Sequence, residues 1–113
     1  MGASILAGRD RMDLDNGMSL RLLSALEVLQ ARREAEELAQ SDRERALCSN
    51  ACLLARAMET QEGEPVFSSG REVLSGLRVE EIAALAKTWS QFNREENPAL
   101  TMGQEEAEAL KKN

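Results

Sequence analysis

Val79-Glu80-Glu81-Ile82-Ala83-Ala84-Leu85-Ala86-Lys87-Thr88-Trp89-Ser90-Gln91-Phe92 is the stretch that decides the fold class. Ile82, Leu85, Ala86, Trp89 and Phe92 recur at i, i+3, i+4, i+7 and i+10, which places them on one face of a helix. Glu80 and Glu81 complement the positive end of the helix dipole. Asn97-Pro98 stops the run, because the residue before a proline is pushed out of the helical region.

Working back toward the start, Ser69-Gly70-Arg71-Glu72 has capping-box spacing and opens a short helix that ends near Gly76. Gln61-Glu62-Gly63-Glu64-Pro65 closes a longer helix, whose apolar stripe reads Leu47, Ala51, Leu54, Ala55 and Met58. Val66-Phe67 then cover an edge of the core. Ser41-Asp42-Arg43-Glu44 caps that longer helix, so the preceding one breaks near Gln40. Ser24-Ala25-Leu26-Glu27 opens the first helix, with Val28, Ala31, Ala35 and Leu38 inward, Leu29 beside them, and Arg32, Arg33, Glu36 and Glu37 on the wet side.

Asn16-Gly17, flanked by Met12 and Leu14 before it and Met18, Leu20 and Leu22 after it, matches a two-residue hairpin turn. Asp13 and Asp15 are poor strand residues and no further strand is expected, so an extended lead-in to the first helix outweighs a hairpin. Beyond the proline, Thr101-Met102-Gly103-Gln104 caps a last polar helix with Met102 and Leu110 as its large apolar residues. The expected architecture is all-α: a small single-domain bundle of three to five helices with an extended or hairpin-like arm. Residues 1–17 form the arm, 18–100 the helical domain and 101–113 the polar helix.

Composition agrees with that reading and narrows the function. The 113 residues carry 20 Asp and Glu against 14 Lys and Arg, a formal charge of −6 that argues against nucleic acid as a partner. Aromatics are one Trp and two Phe with no Tyr, so the core rests on Leu and Ala, both strong helix formers. No run of ~18 apolar residues is available to span a membrane. Ile5-Leu6-Ala7 is cut off by Gly8-Arg9-Asp10 before it can serve as an export signal, and two cysteines without such a signal fit a reducing compartment. The expected location is the cytoplasm.

Most catalytic chemistry lacks its residues. The chain has no histidine, which removes the commonest general base, the usual metal ligand and every histidine-based triad. Cys48 and Cys52 lie one turn apart, but a structural zinc needs four ligands and no others accompany them. Packing as small apolar residues is their simpler role. Asp13-Leu14-Asp15-Asn16-Gly17 starts like a calcium loop, yet Met18 stands where its glycine belongs and Ser24 where its glutamate belongs. No phosphate loop follows any strand. An enzyme is disfavoured, and no cofactor or metal site is expected. The aromatic stripe carries two readings. Trp89 and Phe92 anchor the core, or, with Ile82 and Leu85, they leave a face for a partner helix.

Taken in order, several segments resemble the small tail assembly chaperones of long-tailed bacteriophages and prophages. They are Leu20-Arg21-Leu22-Leu23-Ser24-Ala25-Leu26-Glu27-Val28-Leu29, then Asn50-Ala51-Cys52-Leu53-Leu54-Ala55-Arg56-Ala57, then Gly63-Glu64-Pro65-Val66-Phe67 leading into Ser69-Gly70-Arg71-Glu72-Val73-Leu74. Leu77-Arg78-Val79-Glu80-Glu81-Ile82, running into Trp89-Ser90-Gln91-Phe92-Asn93-Arg94-Glu95, completes a likeness over residues 18–98. The resemblance implies a helical protein absent from the finished virion. Such a protein coats the long tape-measure protein and is displaced as tail-tube subunits polymerise. It supplies no binding residues; Ile82, Leu85, Trp89 and Phe92 come from the stripe alone. The competing reading is a small helical inhibitor or adaptor that binds one globular host or viral target, with a structural particle subunit behind it. Ala-rich stripes are also compatible with a homo-oligomer.

Overall fold

Gly17 adopts φ +82°, a left-handed conformation that glycine enters at no steric cost. It closes a hairpin. In the computed structural model, which describes residues 10–96, β1 (Arg11–Asp13) pairs antiparallel with β2 (Met18–Arg21), Met12 lying opposite Leu20. The loop has three residues, Asp15-Asn16-Gly17. The Gly17 amide donates to the Leu14 carbonyl at 3.4 Å, and the Leu14 amide donates to the Met18 carbonyl at 2.7 Å. Asn16 Oδ1 accepts from the Met18 amide at 3.1 Å, the side-chain turn that asparagine favours. The expected extended lead-in is therefore corrected to a hairpin, and its turn is one residue longer than Asn16-Gly17 suggests.

The all-α expectation is corrected by the same sheet. Helices make up 63% of the described residues, but a three-stranded antiparallel sheet of order β1-β2-β3 accompanies them. The third strand, β3 (Met58–Thr60), follows a helix without any linker and pairs Leu20 with Met58 and Ser19 with Glu59. Met58, which the apolar stripe places at the end of a helix, has left the helix at φ −83°, ψ 127° and is buried as a strand residue. After β3 the chain repeats the first turn. The Gly63 amide donates to the Thr60 carbonyl at 2.9 Å, the Thr60 amide to the Glu64 carbonyl at 2.8 Å, and Gly63 has φ +86°. The two loops lie at one end of the sheet, where a Cβ on Gly17 would be 4.0 Å from Gln61 Nε2.

The helices are α1 (Ala25–Leu38), α2 (Asp42–Ala57), α3 (Gly70–Gly76) and α4 (Val79–Glu96). Ser24 and Glu27 form the complete capping box of α1. At α2 the box is shifted: Ser41 makes no side-chain cap bond, and Glu44 accepts instead from the Gln40 amide at 3.0 Å. At α3 the Ser69 hydroxyl caps the Glu72 amide, while the Glu72 carboxylate accepts from Ser68 rather than Ser69. Arg71, Glu72 and their neighbours are thereby held in a helix of only seven residues.

α2 is the hub against which α1, α3, α4 and β2 pack. One cluster joins Leu20, Leu54, Met58, Val73, Ile82 and Trp89; a second joins Ala31 and Ala35 of α1 to Cys48 and Cys52 of α2. Val66 and Phe67 lie half-buried against the first cluster, as expected of a core edge. The arm drawn over residues 1–17 overlaps β1 and its loop, while its first nine residues and the polar helix expected over 101–113 lie outside the described residues.

Candidate functional site

The aromatic stripe of α4 turns inward. Ile82, Trp89 and Phe92 are buried, at 1%, 7% and 2% exposure, and Leu85 is half-buried against the core. Helical periodicity marks the right face; in the folded chain its Ile82, Leu85 and Trp89 join the core formed with α2 and the sheet. The Trp89 indole Nε1 donates to the Arg21 carbonyl at 2.8 Å, so the most polar atom of the stripe is satisfied internally.

Apolar surface is left elsewhere. Leu26 and Leu29 of α1 are 61% and 46% exposed, and Val79 at the start of α4 is 61% exposed. α1 and α4 both pack on α2 but scarcely meet each other. Between them runs a groove of about 490 Å³ with walls from Val28 and Leu29 on one side and Trp89 and Asn93 on the other, Leu53 of α2 at its base, and Arg32 at its rim. Arg32 is the one titratable side chain among the described residues that line it, and it has no ion-pair partner among the described residues. Ser49, Ser90 and Asn93 add uncharged polar groups to the lining, and apolar surface from Val28, Leu29 and Leu53 with a single charge at the rim suits an amphipathic helix. Leu29 gives no signal as a surface residue in the sequence, because it flanks the inward stripe of α1 and borders the gap between α1 and α4.

Two polar clusters hold the walls in place. On the outer face of the sheet Arg21 pairs with Glu27 and, at 3.2 Å, with Glu59, which also accepts from Arg11 at 2.7 Å. The Arg21 guanidinium is the main reason the Glu27 carboxyl is held down to about 2, against its partial desolvation and with help from the Ser24 amide. The second cluster centres on Glu34 of α1, which accepts from Arg56 of α2 at 2.7 Å and from the Gly70 amide of α3 at 2.8 Å. Burial opposes ionisation of Glu34, but these donors still keep its carboxyl below the usual range.

Burial, with Glu34 next to it, pushes the Cys52 thiol up to about 12, and burial also raises Cys48. Thiols held protonated in this way are poor nucleophiles. Among the described residues no cluster of His, Cys, Asp or Glu could hold a metal ion, and no helix is long and apolar enough to cross a membrane.

Comparison with known proteins found no matching family model, no matching curated relative and no matching solved structure, so the likeness to tail assembly chaperones rests on the sequence segments quoted above.

Proposed function

We propose that the chain is a tail assembly chaperone of a long-tailed phage or prophage, working in the bacterial cytoplasm. It holds apolar helical segments of a tape-measure protein until tail-tube subunits displace it. The observation that carries this reading is the α1/α4 groove with Leu29 exposed on its wall. An incoming helix would set large apolar side chains, spaced i, i+3 or i+4 and i+7, against Val28, Leu29 and Leu53. The docking face thus moves from the buried stripe Ile82, Leu85, Trp89 and Phe92 to α1, and Trp89 contributes as part of the groove wall. A net charge of −6 keeps loaded complexes apart and soluble.

Co-expression with a tape-measure protein of a long-tailed phage tests the reading. The chain should co-purify with that protein, keep it soluble and be absent from finished particles. Leu29→Asp, placed on an exposed position, should abolish co-purification while leaving the circular dichroism spectrum unchanged. Recovery of one globular enzyme at fixed stoichiometry in place of the tape-measure protein would overturn the reading and favour the inhibitor or adaptor.

A further inference from the structure

The groove does not close at Arg32. A smaller cleft of about 270 Å³ continues from it between α1 and α2, lined by Arg32, Ala35, Glu36, Arg45 and Ser49, so Arg32 and Ser49 belong to both. On α2, Leu53, Ser49 and Arg45 follow at four-residue intervals. At ~1.5 Å per residue this wall passes from apolar to hydroxyl to cationic over ~12 Å. α1 changes in the same direction, with Val28 and Leu29 ahead of Arg32. Arg32 has no ion-pair partner among the described residues, and Arg45 pairs with Asp42 at 3.3 Å. Those two side chains are 62% and 94% exposed, so the pair holds Arg45 only weakly. Glu36 is the one carboxylate in the lining, against two guanidinium groups. A chain of formal charge −6 thus carries a cationic spot at one end of its apolar groove.

We infer that the groove selects an amphipathic helix whose apolar face is followed, one to two turns further along, by an Asp or Glu carboxylate that sits between Arg32 and Arg45. This rests on the helix docking proposed above and names what the docked helix must carry. Apolar contact with Val28, Leu29 and Leu53 supplies the attraction, and the two guanidinium groups set direction and register. A helix laid the other way round would bring its carboxylate to the end lined by Ala25, Trp89 and Ser90, where the groove has no cation.

Two synthetic peptides of ~18 residues, long enough to span both clefts at ~1.5 Å per residue, test it on the full chain. Both carry Leu at i, i+4 and i+7; one has Glu and the other Lys at i+11 and i+14, on the same helical face. Fluorescence anisotropy at ~50 mM salt should give the Glu peptide a Kd ~10-fold below that of the Lys peptide, and the difference should shrink at ~0.5 M salt. The net charge of −6 by itself would favour the Lys peptide, so this order is diagnostic of the local pair. Arg32→Glu together with Arg45→Glu should reverse the order, a result that a misfolded variant cannot mimic, and Leu29→Asp should abolish binding of both peptides. Equal Kd values, or tighter binding of the Lys peptide by the wild type, would overturn the inference while leaving helix docking intact. Binding of neither peptide would remove the groove as a helix site and overturn the inference with it; co-purification with a tape-measure protein decides the chaperone reading separately.

Discussion

Trp89 Nε1 donates to the carbonyl of Arg21 at 2.8 Å, one residue past the last pairing of β2 with β3 at Leu20 and Met58. A single indole thus closes the end of a strand ladder and fixes the last helix to the sheet. The bond and the ring can be separated by mutation. Trp89→Phe keeps most of the apolar bulk but leaves the carbonyl without this donor, an expected loss of about 1–2 kcal/mol. Trp89→Ala also opens a cavity and should cost ~3–5 kcal/mol. Urea unfolding followed by far-ultraviolet circular dichroism measures both; equal stability of the wild type and Trp89→Phe would show that the bond contributes nothing.

Acid should weaken the fold through Glu27. Its carboxyl is held at about 2 in the folded chain, chiefly by Arg21, against an ordinary value of 4.5. A group whose folded value is depressed adds stability that is complete above its unfolded value and disappears as pH falls toward the folded one. The window is therefore about pH 4.5 down to 2. Both side chains of the pair are 29% exposed, so solvent screening reduces the contribution to about 1 kcal/mol. The urea midpoint of the wild type should fall toward that of Glu27→Gln across this window. A gap between them that stays constant with pH would contradict the assignment.

Gly70 sits where α3 crosses α2. A Cβ there would run into the Cys52 Sγ and lie 3.1 Å from the Cys52 Cα and 3.2 Å from Glu34 Oε2. Alanine at a helical position gains up to ~1 kcal/mol in propensity, whereas overpacking costs ~1–3 kcal/mol, so Gly70→Ala should be net destabilising. In a Cys52→Ala background the sulfur is gone and the penalty should shrink, though the nearby α2 backbone keeps it above zero. A double-mutant cycle reads the coupling directly. Additive effects would mean that the two residues do not share this space.

The helices were legible because their signals are local. Ser24, Ser41 and Ser69 each precede an observed helix, and Asn97-Pro98 follows the last described residue of α4. The sheet was not legible, because β3 has no signature of its own. Met58 continues the i+4 spacing of Leu54 and so reads as helix, and its strand partner Leu20 is far away in sequence. A three-residue strand is specified by the edge it meets, and no window around Met58 contains that edge. The site failed for a related reason. Periodicity tells which residues of α4 share a face, but burial of Ile82 and Trp89 depends on α2 and the sheet lying across from them. Exposure of Leu29 depends likewise on α4 leaning away from α1.

At Ser19 two small effects oppose each other. The residue lies on the central strand opposite Glu59, is 1% exposed, and its Oγ finds no hydrogen-bond partner among the described residues. Burying a hydroxyl without a partner costs ~1–3 kcal/mol on protein mutational scales. Alanine removes that cost and creates almost no cavity, and it loses only a few tenths of a kcal/mol, a small part of the ~1 kcal/mol span in strand propensity. Relief of the buried hydroxyl outweighs the lost propensity, so Ser19→Ala should stabilise the fold by about 1 kcal/mol and raise the urea midpoint without changing the slope of the transition. A loss of stability on this substitution would mean that the hydroxyl makes a bond in solution, with residues beyond 10–96 or with a bound water as its partner.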